Sequence, residues 1–248
     1  MRNQLKISRY TPKKAMKTLF FFSLGMILAF LVLSNQNDVR NFTQDFYSSS
    51  HADRNDIEKN YNPGDDERFS KEERDYFKEI ALSSEYSDRD KGEVCRWKSD
   101  MNIYVTGQQS EELMNELNRI VDELNDLIDP ININIVNDRS ESNYIILFGS
   151  QDQYNELEPG QEEFIEKNWG LFVVNGGTDI KEGTMYVDIY RCESLDGQKH
   201  LLREELTQSL GLFNDSYKYD NSIFQQRWTE TTEYAPIDRQ LIKMLYNY

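Results

Sequence analysis

His200-Leu-Leu-Arg-Glu-Glu-Leu-Thr-Gln-Ser-Leu-Gly-Leu-Phe-Asn214 is the stretch that decides how the rest of the chain reads. Steps of three and four residues stay on one face of a helix. Leu202, Leu206 and Leu210 therefore share one side, suited to a core. His200, Glu204, Gln208 and Gly211 share another, and that side carries hydrogen-bonding groups. The plainest reading is an amphipathic helix that a glycine ends. A second reading comes from the spacing Glu204-Glu205-x-x-Gln208-x-x-Gly211-x-x-Asn214, which sets polar residues one turn apart toward a cleft.

The sequence after this helix selects between them. Asp220-Asn-Ser-Ile-Phe224 reads as a tight turn. Glu233-Tyr-Ala-Pro-Ile-Asp-Arg-Gln-Leu-Ile-Lys-Met-Leu-Tyr-Asn247 reads as a closing helix from about Ile237 to Tyr246. Together the three segments resemble a metzincin, whose zinc helix is H-E-x-x-H-x-x-G-x-x-H. On that pattern Glu204, Gln208 and Asn214 stand at the three histidine positions, and Glu205 keeps the general-base position. Gly211 keeps the turn, and Phe224 stands where the Met-turn methionine belongs. Glu-Glu-Leu-Thr-Gln-x-Leu-Gly-Leu-x-Asn-Asp followed by Ser-Ile-Phe is also similar to the bacterial domain-of-unknown-function family 2927, over about residues 93–248. The resemblance implies an exported bacterial protein with a degenerate metzincin-like fold. It implies no established activity.

The donor chemistry argues against a working metal centre. Zinc sites use Cys, His and carboxylate, with at least three protein ligands in a catalytic site. Gln208 and Asn214 offer neutral amide oxygens, and calcium asks for about 6–8 oxygens. His200 precedes Glu204 by one turn, so a displaced His/Glu pair is the nearest alternative. The expectation is no cofactor, neither zinc nor calcium. Glu205 then has no metal-bound water to deprotonate and is expected to be a structural, hydrogen-bonded carboxylate. It is a catalytic base only if the site is active. Glu204 and Glu205 lie ~100° apart on a helix, which disfavours a joint acid pair.

The 248-residue chain is charged unevenly. Residues 1–34 hold six bases and no acid, and the remainder holds 22 bases against 44 acids. So acidic a body repels phosphate backbones, which argues against nucleic-acid partners. Residues 1–17 read as a basic cytoplasmic tail. Residues 18–34 fit either a transmembrane anchor or a cleaved signal peptide, since the 16 uncharged residues 19–34 fall between the two lengths. In either case the positive flank stays inside and residues 35–248 lie across the membrane. The expected location is the bacterial cell membrane, single-pass with the C-terminal domain outside, or export after cleavage. In an oxidising compartment, Cys95 and Cys192 are expected to form one disulfide, the alternative being two buried thiols.

Residues 35–92 read as a polar linker containing one short helix. Ser70 caps that helix, which runs to about Ser83 with Tyr76, Phe77, Ile80 and Ala81 on its apolar side. From 93 to 248 the pattern is α/β (α+β), a mixed sheet with a long first helix. Strands are expected at Met101–Thr106, around Ile131 to Ile135, at Tyr144–Phe148 as the central strand, at Gly170–Val174 and at Met185–Tyr190. Ser110 caps the long helix, Gln151–Leu157 forms a short one, and Gly176, Gly177 and Gly183 fall in a loop. The expected role is non-catalytic binding of a protein, peptide or envelope polymer. The alternatives are an active hydrolase with an unusual metal or acid site, and a purely structural envelope protein.

Overall fold

The computed structural model describes residues 68–82 and 94–246. The basic tail, the segment 18–34 and most of the linker lie outside the described residues. Among the described residues no helix is long and apolar enough to cross a membrane.

Helix α1 (Lys71–Ala81) begins at a capping box: the Ser70 hydroxyl accepts from the Glu73 N–H, and the Glu73 carboxylate accepts from the Ser70 N–H. Strand β1 (Arg96–Trp97) and strand β2 (Met101–Gly107) follow. Helix α2 (Glu111–Asn125) starts at Ser110, whose hydroxyl accepts from the Leu113 N–H. Then come β3 (Ile133–Val136), β4 (Tyr144–Gly149), α3 (Gln151–Leu157), α4 (Glu162–Lys167), β5 (Gly170–Asn175), β6 (Asp179–Ile180) and β7 (Glu182–Asp188). Helix α5 (Leu195–Gln208) carries the stretch quoted above, and α6 (Pro236–Tyr246) closes the fold.

The main sheet runs β3-β2-β4-β7-β5, with β5 antiparallel at one edge and the other pairings parallel. Strand β4 is central, as its uniformly apolar sequence implies. Its alternate residues serve two cores: Tyr144, Ile146 and Phe148 face the large one, and Leu147 faces a smaller one with Tyr154, Ile165 and Tyr186. The large core also takes residues from α1, α2, α5 and α6, and the small one from α3 and α4. The expected α+β class, with its mixed sheet, long first helix and closing helix, is what the structure has.

Two expectations need correction. Helix α1 is not part of a linker. Tyr76, Phe77 and Ile80 are fully buried in the large core, so the folded body takes in this helix as well as residues 94–246. Cys95 and Cys192 form no disulfide. The Cys95 carbonyl meets α5 just past its end, at Gly211, whereas the Cys192 sulfur meets it in its first turn, at Gly197. Eleven helical residues, at about 1.5 Å each, separate Gly197 from Gln208, and a disulfide needs Cα atoms within about 7 Å.

Candidate functional site

Helix α5 lies against the sheet with its sides distributed much as the wheel required. Leu202, Leu206 and Leu210 are fully buried. The opposite side holds the residues at the ligand positions, and each is engaged by the protein itself. Gln208 donates from Nε2 to Asp215 Oδ1 at 2.6 Å. Asn214 donates from Nδ2 to the Glu79 carbonyl at 3.2 Å, and its N–H donates to the Ile80 carbonyl at 3.1 Å. The third ligand position is thus turned onto α1. Glu204 lies 3.4 Å from His200 Nε2. Among the described residues, no group of three His, Cys, Asp or Glu side chains is placed to hold a metal ion.

His200 is buried, and its ring clasps the segment that follows the tight turn. Nδ1 lies 2.8 Å from the Thr231 carbonyl, a contact that requires the proton on Nδ1. Trp228 packs edge-on against the imidazole, with centroids 5.7 Å apart, and edge-on against Trp169 at 5.6 Å. Burial pulls the His200 pKa down, so at neutral pH the contact with Glu204 is not a full ion pair.

Glu205 lacks the hydrogen bond expected of it. It is 9 % exposed, and no hydrogen bond holds its carboxyl among the described residues. Gly170, first residue of β5, makes room for it: a Cβ there would sit 2.6 Å from Glu205 Oε1. Burial, reinforced by the charge of Asp215, pushes the Glu205 pKa up to about 8. This carries a stability consequence. The fold favours the neutral acid, so the group's contribution is complete below its ordinary 4.5 and is lost as pH rises through about 8. Within that window ionisation costs about 1.4 kcal/mol per pH unit. Glu205→Gln is expected to match the parent in urea unfolding near pH 4 and to exceed it by pH 8. Parallel pH profiles for the two proteins would contradict this burial.

The turn and the closing helix are joined as the sequence suggested. Asp238, fully buried, accepts from the Ser222 hydroxyl at 2.6 Å and from the N–H groups of Ile223 and Ala235 at 3.0 and 2.8 Å. Phe224 is fully buried in the large core. Gly211 has φ +134°, and a Cβ there would lie 2.0 Å from the Cys95 carbonyl oxygen. Its place in the pattern is therefore a packing requirement.

The sequence reading set His200, Glu204, Gln208 and Gly211 on one side of the helix, with Glu205 ~100° away from Glu204. It missed Asp215, Gly170, Trp169 and Trp228. Asp215 was legible as the neighbour of Asn214. The two tryptophans reach the helix from distant, irregular segments and left no periodic signal.

No curated protein matches the sequence. The crystal structure of myroilysin is similar at a TM-score of 0.40 and 10% identity, over 69% of this chain and 93% of that one. The family model described as "Protein of unknown function (DUF2927)" matches residues 70–248, which take in α1 as well as the sheet and the closing helix, and the chain belongs to that family.

Proposed function

We propose that the chain is an exported bacterial protein, held at the membrane by residues 18–34, whose folded domain binds a protein, peptide or envelope polymer without catalysis. The binding region is the strip between β5, α5 and the segment around Trp228. One observation carries the non-catalytic part. The positions that would ligate a metal are spent on internal contacts: Gln208 on Asp215, Asn214 on the Glu79 carbonyl. The exposed aromatic face of Trp228, 49% accessible, supports a contact surface. The basic residues before the apolar run support placement of the domain outside the cytoplasm.

A second reading, a purely structural envelope domain, is favoured by burial. Glu204, Glu205 and Gln208 are only 14, 9 and 7% exposed, so this side of α5 is largely covered.

The test uses the full chain in two arms. Peptide and ester hydrolysis would be assayed with and without added zinc or calcium, for the parent and Glu205→Gln. Binding of peptides and isolated envelope polymers would be measured alongside. The expected result is hydrolysis at the buffer rate and saturable binding to one ligand class. Turnover that disappears in Glu205→Gln would overturn the non-catalytic reading, and the absence of saturable binding would leave the structural one.

A further inference from the structure

The strip between β5 and α5 has two features that the turn and the degenerate ligand positions do not explain. The first is a group of acids without a basic partner. Glu205 is nine-tenths buried and makes no hydrogen bond among the described residues, and Asp215 is close enough to raise its pKa. Glu230 lies at the same end of α5 as Trp228: beside Gly197, a Cβ would meet Trp228 Cζ2 at 3.1 Å and Glu230 Oε1 at 3.5 Å. Among the described residues no Lys or Arg pairs with Glu205 or Glu230. The basic side chains are committed elsewhere, Arg203 and Arg239 to Glu123, and Arg119 to Glu116 and Glu233.

The second feature is an open aromatic corner. Trp169 and Trp228 meet at 76°, and Trp228 is half exposed. The cation–π contacts among the described residues go to Phe69, Tyr76, Tyr217, Tyr219 and Tyr234, and none to these two tryptophans. An indole face attracts a cation within about 6 Å of its centroid. A nearly buried carboxyl without a partner calls for a donor, and the strongest donors are charged N–H groups. A quaternary ammonium would satisfy the indoles but has no N–H for Glu205.

We propose that this strip is a binding site for a primary ammonium or guanidinium group, supplied by a Lys or Arg side chain of a polypeptide partner. The charged head sits toward Glu205, and the aliphatic stem lies along Trp228 and Trp169. The proposal rests on the binding reading above and names its ligand class. Net charge agrees with it, since residues 35–248 carry 44 acids against 22 bases and attract basic partners.

The test is a titration of the full chain with capped Lys and Arg tripeptides, followed by tryptophan fluorescence. A norleucine tripeptide and free methylamine serve as comparison probes. The expected result is saturable binding of the Lys and Arg peptides, at least roughly tenfold weaker for the norleucine peptide and for Glu205→Gln, which keeps the shape and cannot ionise opposite a bound cation. Trp228→Leu, a surface change, is expected to weaken binding several-fold. Methylamine binding as tightly as the peptides would mean a small-amine site and overturn the polypeptide assignment. Equal binding of lysine and norleucine peptides would overturn the cation assignment while leaving the binding reading intact. Failure of every probe to bind would overturn both.

Discussion

Gly211→Ala is expected to abolish stable folding of the domain, or to lower its unfolding free energy by more than about 4 kcal/mol, at the extreme of single substitutions. Two independent causes add. At φ +134° an L side chain is strained wherever it stands. The added methyl would also lie 2.0 Å from the Cys95 carbonyl oxygen, which belongs to backbone and cannot swing away. The neighbourhood resists a shift. Trp97, the second residue of β1, donates from its indole N–H to the Ser209 carbonyl at 3.1 Å, so the strand and the helix end are tied together there. Circular dichroism during heating of parent and variant checks this. A variant melting within a few degrees of the parent would mean that the helix end relaxes freely.

The second large effect is expected at Arg203, which is fully buried inside α5. Its guanidinium lies 3.0 Å from Glu116 and 3.2 Å from Glu123, both on α2, and 4.4 Å over the Tyr234 ring that precedes α6. Arg119 and Arg239 contact the same two glutamates from the rim. One buried cation therefore joins α2, α5 and α6. Removing one member of a buried pair strands the other's charge, at a cost of about 3–5 kcal/mol. Arg203→Met keeps the packing volume and is expected to lose this amount. Arg203→Met combined with Glu116→Leu is expected to recover a substantial part, because the buried Glu116, left with Arg119 alone, is gone; Arg119 still compensates Glu123. Urea unfolding of the single and double variants measures the coupling. A double variant no more stable than Arg203→Met would show that the network contributes through packing alone.

Both effects explain why the fold was largely legible in the sequence and the site only partly so. The strands from Met101 and Tyr144 and the helices capped by Ser70 and Ser110 are local readings, driven by alternation, helical spacing and a cap within three residues. They appear at nearly the expected residues. Helix α4 (Glu162–Lys167) was missed because six residues carry too little periodicity. Gly183 was placed in a loop, yet it lies in β7, where a Cβ would strike the Val173 carbonyl at 2.7 Å and the Tyr144 ring at 2.8 Å. The glycine there serves close packing of strands, which a single chain segment does not announce. Helix α1 was read as linker because its burial depends on a partner, α6, some 160 residues away. Asn214 matched a ligand position in one dimension, but the backbone after Gly211 carries it to α1.

The Glu205 environment belongs to the same class of long-range fact. A glutamate in an amphipathic helix is ordinarily solvated or hydrogen-bonded, and only the glycine at the start of β5 makes an unbonded burial possible. The pH series on Glu205→Gln and the lysine-peptide titration therefore probe one group in two ways. The first reads the cost of its charge, and the second reads what relieves it.

The central claim is that the side chains of Glu204, Gln208 and Asn214 are turned to internal bonding. Elemental mass spectrometry of the full chain, purified without chelator, tests it most directly, with Glu204→Ala/Gln208→Ala alongside. The account predicts less than about a tenth of an equivalent of any transition metal or calcium in both proteins, since neutral amides and a bonded carboxylate make a poor donor set. One equivalent in the parent that is lost in the double variant would contradict it.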